Sequence, residues 1–505
     1  MPEQALRRLG RPLLAFAGGA LALLAFAPWS LYPLAFAGTA LLLALWRTAT
    51  PRQAFFEGYA FGLGLLGFGV FWVHISIDQF GNVGTLLAIL ITLLFIASMA
   101  LYYGLAGWLA LRLAGDRACS GPALLLFCSL LLSAEWLRGW LFGGFPWLAL
   151  GYSQIDGPLG AWAPVLGVYG VSWLVYLSAA LVISLVLTGR WRLVALGGLA
   201  LIWGGALLLE GHPWTQPAGR SLQVAIVQGN VPQALKWRRE MRQPTLQRYL
   251  GLTRGQWDKD LVVWPETAVP ALADQVEASL LAPLEREVQA HGRSLLLGVP
   301  VREQGRYYNS MLSLGASRGR YDKRHLVPFG EFMPLKGLLQ PLVDWLNIPM
   351  SDFSAGRAAK PLLQLAGYPA GISICYEDAF GEEVIEALPE AAFLVNASND
   401  AWFGDSLALH QHLEIARMRA RESGRYLLRA TNTGISALID QRGALLARSP
   451  LNRQFVLEGE LVPMQGMTPY ARFGNRGVLL LAGLGALLAL CLLRCSGATA
   501  RRTAG

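Results

Sequence analysis

Cysteine is scarce in this chain. Of five cysteines in 505 residues, Cys119 and Cys128 open one apolar segment and Cys491 and Cys495 close another. Only Cys375 lies in the more polar stretch, so it can join neither a disulfide framework nor a CxxC metal site. Histidine is scarce too, at six residues. No cluster with metal-ligand spacing, no phosphate-cradling glycine loop and no Ser-His-Asp set appears, so neither a metal nor an organic cofactor is expected. Charged residues make up 15% against 54% hydrophobic, a balance foreign to a purely soluble protein. A basic block interleaved with aromatics is missing, so the net charge of +9 does not signal nucleic acid.

What is present is apolar sequence, in two places: Pro12–Leu209 and Val478–Leu493. The first contains candidate spans at about Pro12–Pro28, Leu31–Trp46, Phe55–Ile75, Val83–Leu111, Pro122–Leu137, Ala161–Leu187 and Leu193–Leu209. Gly477–Leu493 makes an eighth. Each is near the ~20 residues needed to cross a bilayer, with the first, second and fifth on the short side. Arg7, Arg8 and Arg11 precede the first run; a signal peptide is the alternative, but the spans that follow at once favour an uncleaved helix.

Arg47, Arg52, Arg112, Arg117, Arg190 and Arg192 fall in alternate short loops, and Arg494, Arg501 and Arg502 follow the last span. The opposite loops are nearly free of Lys and Arg, with Arg138 the main exception. This pattern predicts both termini in the cytoplasm. The expected division is a membrane domain of seven helices over residues 1–212, an extracytoplasmic domain over 220–465, an eighth span over 476–494 and a short tail over 495–505. That outer side is oxidising, where an unpaired cysteine is unusual unless it is used.

The loop Ser133–Asp156 carries Trp136, Trp140 and Trp147, several glycines and a Glu135–Arg138 pair at helical spacing. It reads as an interfacial aromatic anchor, or as part of a lipid-access surface. His74 and Asp78, at a span end, are open to a functional role or to snorkelling.

From about Ser221 to Val462 short apolar runs recur: Leu222–Val227, Leu261–Trp264, Ser294–Val299, Ser310–Leu314, Ala370–Ile374, Phe393–Val395, Tyr426–Arg429, Ile435–Ile439 and Phe455–Leu461. Helical stretches at Ala271–His291 and Ala408–Ser423 fall between them, which predicts a layered α/β domain of about 240 residues. Gln340–Ala358 reads as a long loop whose apolars (Leu342, Trp345, Leu346, Ile348, Met350 and Phe353) suit membrane contact or a lid. His410 and His412 read as surface or packing residues of the second helix.

Three strand ends carry chemistry. Leu261–Trp264 runs into Pro265-Glu266; Tyr321-Asp322-Lys323-Arg324 leads to Glu331; and Gly371–Ile374 delivers Cys375 onto Glu377 and Asp378. A buried structural thiol is the bland alternative for Cys375. A nucleophilic cysteine needs a cation to lower its pKa from ~8.5 or a base to take its proton. It also needs a donor aimed at the developing oxyanion. Glu266, Lys323 and Cys375 fill the roles of base, cation and nucleophile in principle, and separations of 57 and 52 residues suit three converging strands.

The strings VVWPET, YDKRHLVPFGE and GISICYED resemble the three signature segments of the nitrilase (carbon–nitrogen hydrolase) superfamily, which places a Glu-Lys-Cys triad on an α-β-β-α sandwich. HLVPFGEFMP, QGNVPQALKW and NASNDAWFG, with the flanking spans, are similar to one branch of it, the apolipoprotein N-acyltransferases. The resemblance implies acyl transfer from a membrane phospholipid to the N-terminal α-amine of a diacylglyceryl-cysteine lipoprotein, the last step of lipoprotein maturation. In that scheme Glu266 is the general base, Cys375 the acyl carrier, and Lys323 with the backbone N–H of Tyr376 the oxyanion donors. Glu331 and Glu377 are supporting residues. Trp237, otherwise a lone packed tryptophan, becomes an aromatic on a mobile loop tied to substrate access.

Overall fold

Unbroken Leu, Ala and Phe sequence cannot satisfy its backbone in an apolar setting except as helix, and the apolar segments are helical in the computed structural model. The structure describes residues 2–81, 83–187, 191–332 and 352–502. The chain divides into one unit of Met1–Val73, Ile89–His212 and Phe473–Gly505, and another of His74–Ala88 and Pro213–Arg472.

Among the described helices, Thr85–Arg117, Gly121–Arg138, Pro158–Val186, Arg192–Glu210 and Arg476–Cys495 are long and apolar enough to cross a membrane. Pro51–Gly69 and Val73–Gln79 form a sixth only as a pair bent by 54°. The apolar parts of the first two helices, Gly10–Leu23 and Pro33–Trp46, are shorter. So the expected eight spans reduce to five or six by length and composition. Fourteen residues rise only about 21 Å, against about 30 Å of hydrocarbon. Glycines bring the first and third helices together backbone to backbone: a Cβ on Gly19 would lie 2.0 Å from Phe61 O, and one on Gly64 2.1 Å from Phe16 O.

The Ser133–Asp156 segment is not all surface. Trp147 is buried against Trp72, while Trp140 is exposed and stacked on Trp136. Glu135 accepts from Leu150 N (2.5 Å) and from the hydroxyls of Ser172 (3.3 Å) and Tyr176 (3.1 Å), and Arg138 donates to Phe145 O and Trp147 O at 2.7 Å. The two charges therefore pin the loop more than they pair.

Among its described residues the second unit contains fourteen strands. In chain order they are β1 Gln216–Pro217, β2 Leu222–Gln228, β3 Leu261–Val263, β4 Ser294–Glu303, β5 Arg306–Leu314, β6 Gly319–Asp322 and β7 Leu362–Leu365. Then follow β8 Tyr368–Ile374, β9 Phe393–Ser398, β10 Leu427–Thr431, β11 Ala437–Ile439, β12 Leu445–Arg448, β13 Phe455–Leu461 and β14 Met464–Gln465. Two six-stranded sheets result, in the orders β13-β2-β3-β4-β5-β6 and β12-β11-β10-β9-β8-β7, while β1 and β14 pair alone. The inner strands β2–β3–β4 and β8–β9–β10 are parallel and the rest antiparallel.

Alternation along the strands explains the layering. Val224 and Ile226 of β2 join Ile372, Ile374 and Val395 in a core between the sheets. Ala225 and Val227 face the other way, onto Leu246, Tyr249 and Leu284 of helices Arg239–Thr253 and Ala282–Ala290. Leu394 and Leu427 meet Leu413, Ala416 and Ala420 of helix Leu407–Ser423. This is an α-β-β-α sandwich. The ends of parallel strands in such sheets are where ligands bind, and Glu266, Cys375 and Asp400 all follow such ends.

Of the loop expected over Gln340–Ala358, residues up to 351 lie outside the described residues. Phe353, further on, is partly buried and bridges to Tyr307. On the segment that belongs with this unit, Thr85 Oγ1 donates to Asp78 (2.8 Å) and Ser76 Oγ to Trp402 O (2.6 Å).

Candidate active site

Glu266 is set by a tight turn. Trp264 N bonds Leu296 O (2.8 Å), Val269 N bonds Gly298 O (3.1 Å), and Thr267 sits at φ +46°. Gly298 of β4 lets this turn lie directly on the strand: an added Cβ would be 2.4 Å from Pro265 O and from Thr267 N. Oε1 of Glu266 accepts from Asn309 Nδ2 (2.7 Å), whereas Oε2 is buried with no hydrogen-bond partner among the described residues. Burial pushes this carboxyl's pKa up; Lys323 opposes the shift and Glu331 adds to it.

Lys323 leaves β6 and is held by its backbone, N to Asn309 O and O to Gly356 N, both 2.8 Å. Its side chain is 1% exposed and its ammonium lies 2.7 Å from Glu331 Oε2. Burial alone would lower its pKa, but the carboxylates of Glu331 and Glu266 outweigh it and hold the ammonium charged. Glu331 is itself fixed by Val327 N (2.9 Å) and Asn309 Nδ2 (3.1 Å). Asn309, unforeseen in the sequence, thus bridges the two carboxylates.

Cys375 follows β8 at φ +51°, left-handed backbone that a non-glycine residue adopts only under constraint. It is 6% exposed. Burial and Glu266 push its thiol well above the ordinary range, and Lys323 pulls the other way without winning. A thiolate made by a neighbouring cation is therefore not the resting state; a base must take the proton.

Glu377 joins two segments. Its carboxylate accepts from Ile374 N (2.7 Å), Arg324 N (2.7 Å), His325 N (3.1 Å) and the Tyr321 hydroxyl (2.9 Å). This fixes the turn after Lys323 against the turn of Cys375. Burial raises its pKa, against those three backbone donors and Lys323. The His325 ring stacks on Phe380 at 3.7 Å and meets Tyr376 edge-on at 5.9 Å.

Trp237 is 52% exposed and ends the short helix Gln233–Lys236. It is not the packed tryptophan of the bland reading. Its neighbour Lys236 is the buried one: Nζ donates to Thr267 Oγ1 (2.5 Å) and lies 3.4 Å from Glu266 O. Burial lowers its pKa to about 8, with Glu266 opposing.

His412 falls on the packing side of the surface-or-packing reading. It is fully buried, 3.0 Å from Asp400 through Nδ1 and 3.0 Å from Asp378 through Nε2. His410 is only partly buried.

Residues 18–181 match the apolipoprotein N-acyltransferase N-terminal domain, and residues 223–466 match the carbon-nitrogen hydrolase family. A protein of Methylococcus capsulatus named apolipoprotein N-acyltransferase is 50% identical over 92% of this chain and 92% of its own. The chain belongs to the apolipoprotein N-acyltransferase family. A Nitrosomonas europaea member of that name is 43% identical over 94% of this chain and 96% of its own. Among solved structures, a carbon-nitrogen hydrolase from Helicobacter pylori G27 covers 48% of this chain and 88% of its own, with 17% identity and a TM-score of 0.37.

Lys236, Asn309, Asp400, His412 and Arg429 stand around these residues without having been marked for the site in the sequence, and Asp378 was named there without a role. The strings QALKW and NASNDAWFG contained two of them, Lys236 and Asp400, without marking which side chains turn inward.

Proposed function

We propose that the chain moves a fatty acyl chain from a membrane phospholipid to the α-amine of a diacylglyceryl-cysteine lipoprotein through a thioester on Cys375. The observation that carries this reading is the buried Glu266 carboxylate. One oxygen is anchored by Asn309 and the other has no hydrogen-bond partner among the described residues, and its charge acts on the Cys375 thiol.

Glu266 takes the thiol proton as sulfur attacks the ester carbonyl. Lys323 and the Tyr376 amide stabilise the oxyanion. Collapse breaks the C–O bond, and the departing lysophospholipid alkoxide takes the proton back from Glu266. In the second half the lipoprotein amine attacks the thioester, Glu266 accepts the amine proton, and the thiolate leaves and is reprotonated. A thioester keeps the acyl group activated while one lipid leaves and the next arrives, and a dry site keeps water from ending it.

The apolar helices of the first unit support a membrane location. With the arginine pattern, they favour a bacterial inner-membrane protein with both termini cytoplasmic and residues 220–465 on the periplasmic side. Trp237 lies on the exposed loop that we assign to substrate access.

The test is direct. Purified protein is incubated with a phospholipid labelled in its acyl chain. Hydroxylamine-labile label on the protein, absent in Cys375→Ala and passed on to a diacylated lipopeptide, is the expected result. Label released only to water would mean a hydrolase, and no label at all would refute the reading.

A further inference from the structure

Behind Cys375 lies a group of charges that the acyl-transfer scheme leaves unused. Asp378, Asp400, His412 and Arg429 have side chains exposed by no more than 1%. They come from four places: the turn after β8, the turn after β9, helix Leu407–Ser423 and β10. Arg429 donates to Asp400 Oδ2 (2.8 Å) and Asn396 Oδ1 (2.7 Å), and reaches Asp378 Oδ2 at 3.4 Å. His412 lies between the two aspartates, so both ring nitrogens face carboxylates and both are N–H donors. The group then holds two anions and two cations and is neutral overall.

Burying four ionisable groups is expensive, and an apolar core of that volume would stabilise the fold at least as well. Their contacts converge on one residue. Cys375 O is 3.2 Å from Asn396 Nδ2, which Arg429 orients, and 3.4 Å from His412 Nε2. Ser398 steadies the group, donating to Asp400 Oδ1 (2.8 Å). The group therefore grips the carbonyl of the residue with left-handed backbone. A peptide plane held at its carbonyl is also fixed at its N–H, and the N–H of that plane belongs to Tyr376.

We propose that the His412–Asp378–Asp400–Arg429 group is the positioning device of the nucleophile. It locks Cys375 in its strained backbone and so aims the Tyr376 amide at the carbonyl oxygen under attack. The inference rests on the acyl-transfer reading of Cys375. His412 acts here through Cys375 and is not an acid or base: both its nitrogens are engaged inside the core. The protonated ring that the geometry demands agrees with its raised pKa. Burial and Arg429 push it down, Asp378 and Asp400 outweigh them, and it stands at about 9.

The test uses the full chain in mixed micelles and the single-turnover acylation of Cys375 by acyl-labelled phospholipid, read against phospholipid concentration. In His412→Phe the saturating rate should fall about 100-fold, the cost of one mis-aimed oxyanion donor. The half-saturating concentration should stay within about threefold. His412→Gln keeps an amide donor for Cys375 O and should recover at least about tenfold of the loss. A saturating rate within about threefold of the parent in His412→Phe, or equal losses in both variants, would overturn the proposal. Should the Phe variant not fold, His412→Gln decides alone. A rate reduced about 3- to 30-fold at unchanged half-saturation supports the proposal, and a parental rate or a raised half-saturation overturns it. Cys375→Ala separates the two levels. If it still forms the labile acyl-enzyme, the acyl-transfer reading fails. If it forms none while the His412 variants match the parent, only this inference fails.

Discussion

Gly298→Ala tests whether Glu266 owes its activity to its placement. Gly298 lies on β4, followed by Val299 and Pro300, and the three atoms nearest an added Cβ there are all backbone. Its backbone is the floor on which the Pro265-Glu266-Thr267 turn rests. A methyl group there would start 2.4 Å from both Pro265 O and Thr267 N. Ordinary contact begins about 1 Å further out, so the turn must lift by roughly that much, since β4 is a central strand bonded on both sides. Overpacking of this kind costs about 1–3 kcal/mol of stability. The effect on chemistry should be larger, because a displacement of about 1 Å at a reacting group costs about 100-fold in rate. The assay is the single-turnover acylation of Cys375, with thermal unfolding of the same sample beside it. Gly251→Ala is the control. That glycine is helical with nothing within 4 Å of an added Cβ, and alanine there should be neutral or stabilising by about 0.5–1 kcal/mol. An acylation rate within about threefold of the parent in Gly298→Ala would refute the claim that this contact sets the base.

Two further outcomes follow from the charges. Glu331→Gln leaves the buried Lys323 ammonium with Glu266 as its main counter-charge. The loss should be near the lower end of the ~3–5 kcal/mol typical for breaking a buried pair. Removing a neighbouring anion lowers the pKa of Glu266, so the acid limb of the acylation pH profile should move to lower pH while the maximal rate falls about tenfold or more; an unmoved limb would contradict this. His412 gives a stability signature. Its folded pKa of about 9 stands above the 6.5 of the unfolded chain, so its contribution is complete below about pH 6.5 and is lost as pH rises through 9. The loss is on the order of 3 kcal/mol. Lys236, lowered to about 8, acts oppositely, since its burial penalty fades above pH 8. The difference in unfolding midpoint between parent and His412→Gln, measured from pH 6 to 9.5, cancels the lysine and should shrink with pH; a constant difference would remove His412 as the source.

Much of the sandwich was legible because burial on both sheet faces writes continuous or alternating apolar runs. Leu222–Val227, Ser310–Leu314 and Phe455–Leu461 fall within observed strands. The short edge strands β6, β7 and β12 were not legible: four residues such as Gly319–Asp322 carry no period, and their pairing comes from the neighbouring strand. Helix Arg239–Thr253 was hidden by Pro244 and by a mostly polar face. In Leu407–Ser423, His412, Glu414, Arg419, Arg421 and Glu422 are all buried. His412 meets Asp378 and Asp400 from the turns after two strands, and Arg419 pairs with Glu422 within the helix at 3.1 Å. Pro33–Trp46, flagged as short in the sequence, has the apolar composition of a span without the length. Around the nucleophile, Glu266, Lys323 and Cys375 could be named because they follow strand ends, and Glu331 and Glu377 through the resemblance. His412, Asp400 and Arg429 could not, because what marks them is convergence on one carbonyl.

The raised pKa values on both sides of the proposed proton transfer give the site its logic. Lys323 is neutralised by Glu331, and it does not draw the Cys375 thiol into the anionic form. At rest the sulfur is therefore a poor nucleophile and a poor target for oxidation. A carboxylate with a raised pKa is a better base than an ordinary one, and its unpartnered oxygen loses no hydrogen bond when it accepts the proton. Attack thus waits for a carbonyl whose developing charge Lys323 and the Tyr376 amide can stabilise. The same balance serves the second half-reaction, where the proton comes from an amine and the thiolate is the leaving group. In each half-reaction Glu266 takes one proton and returns it, so a single base suffices for both substrates and water need not take part in either.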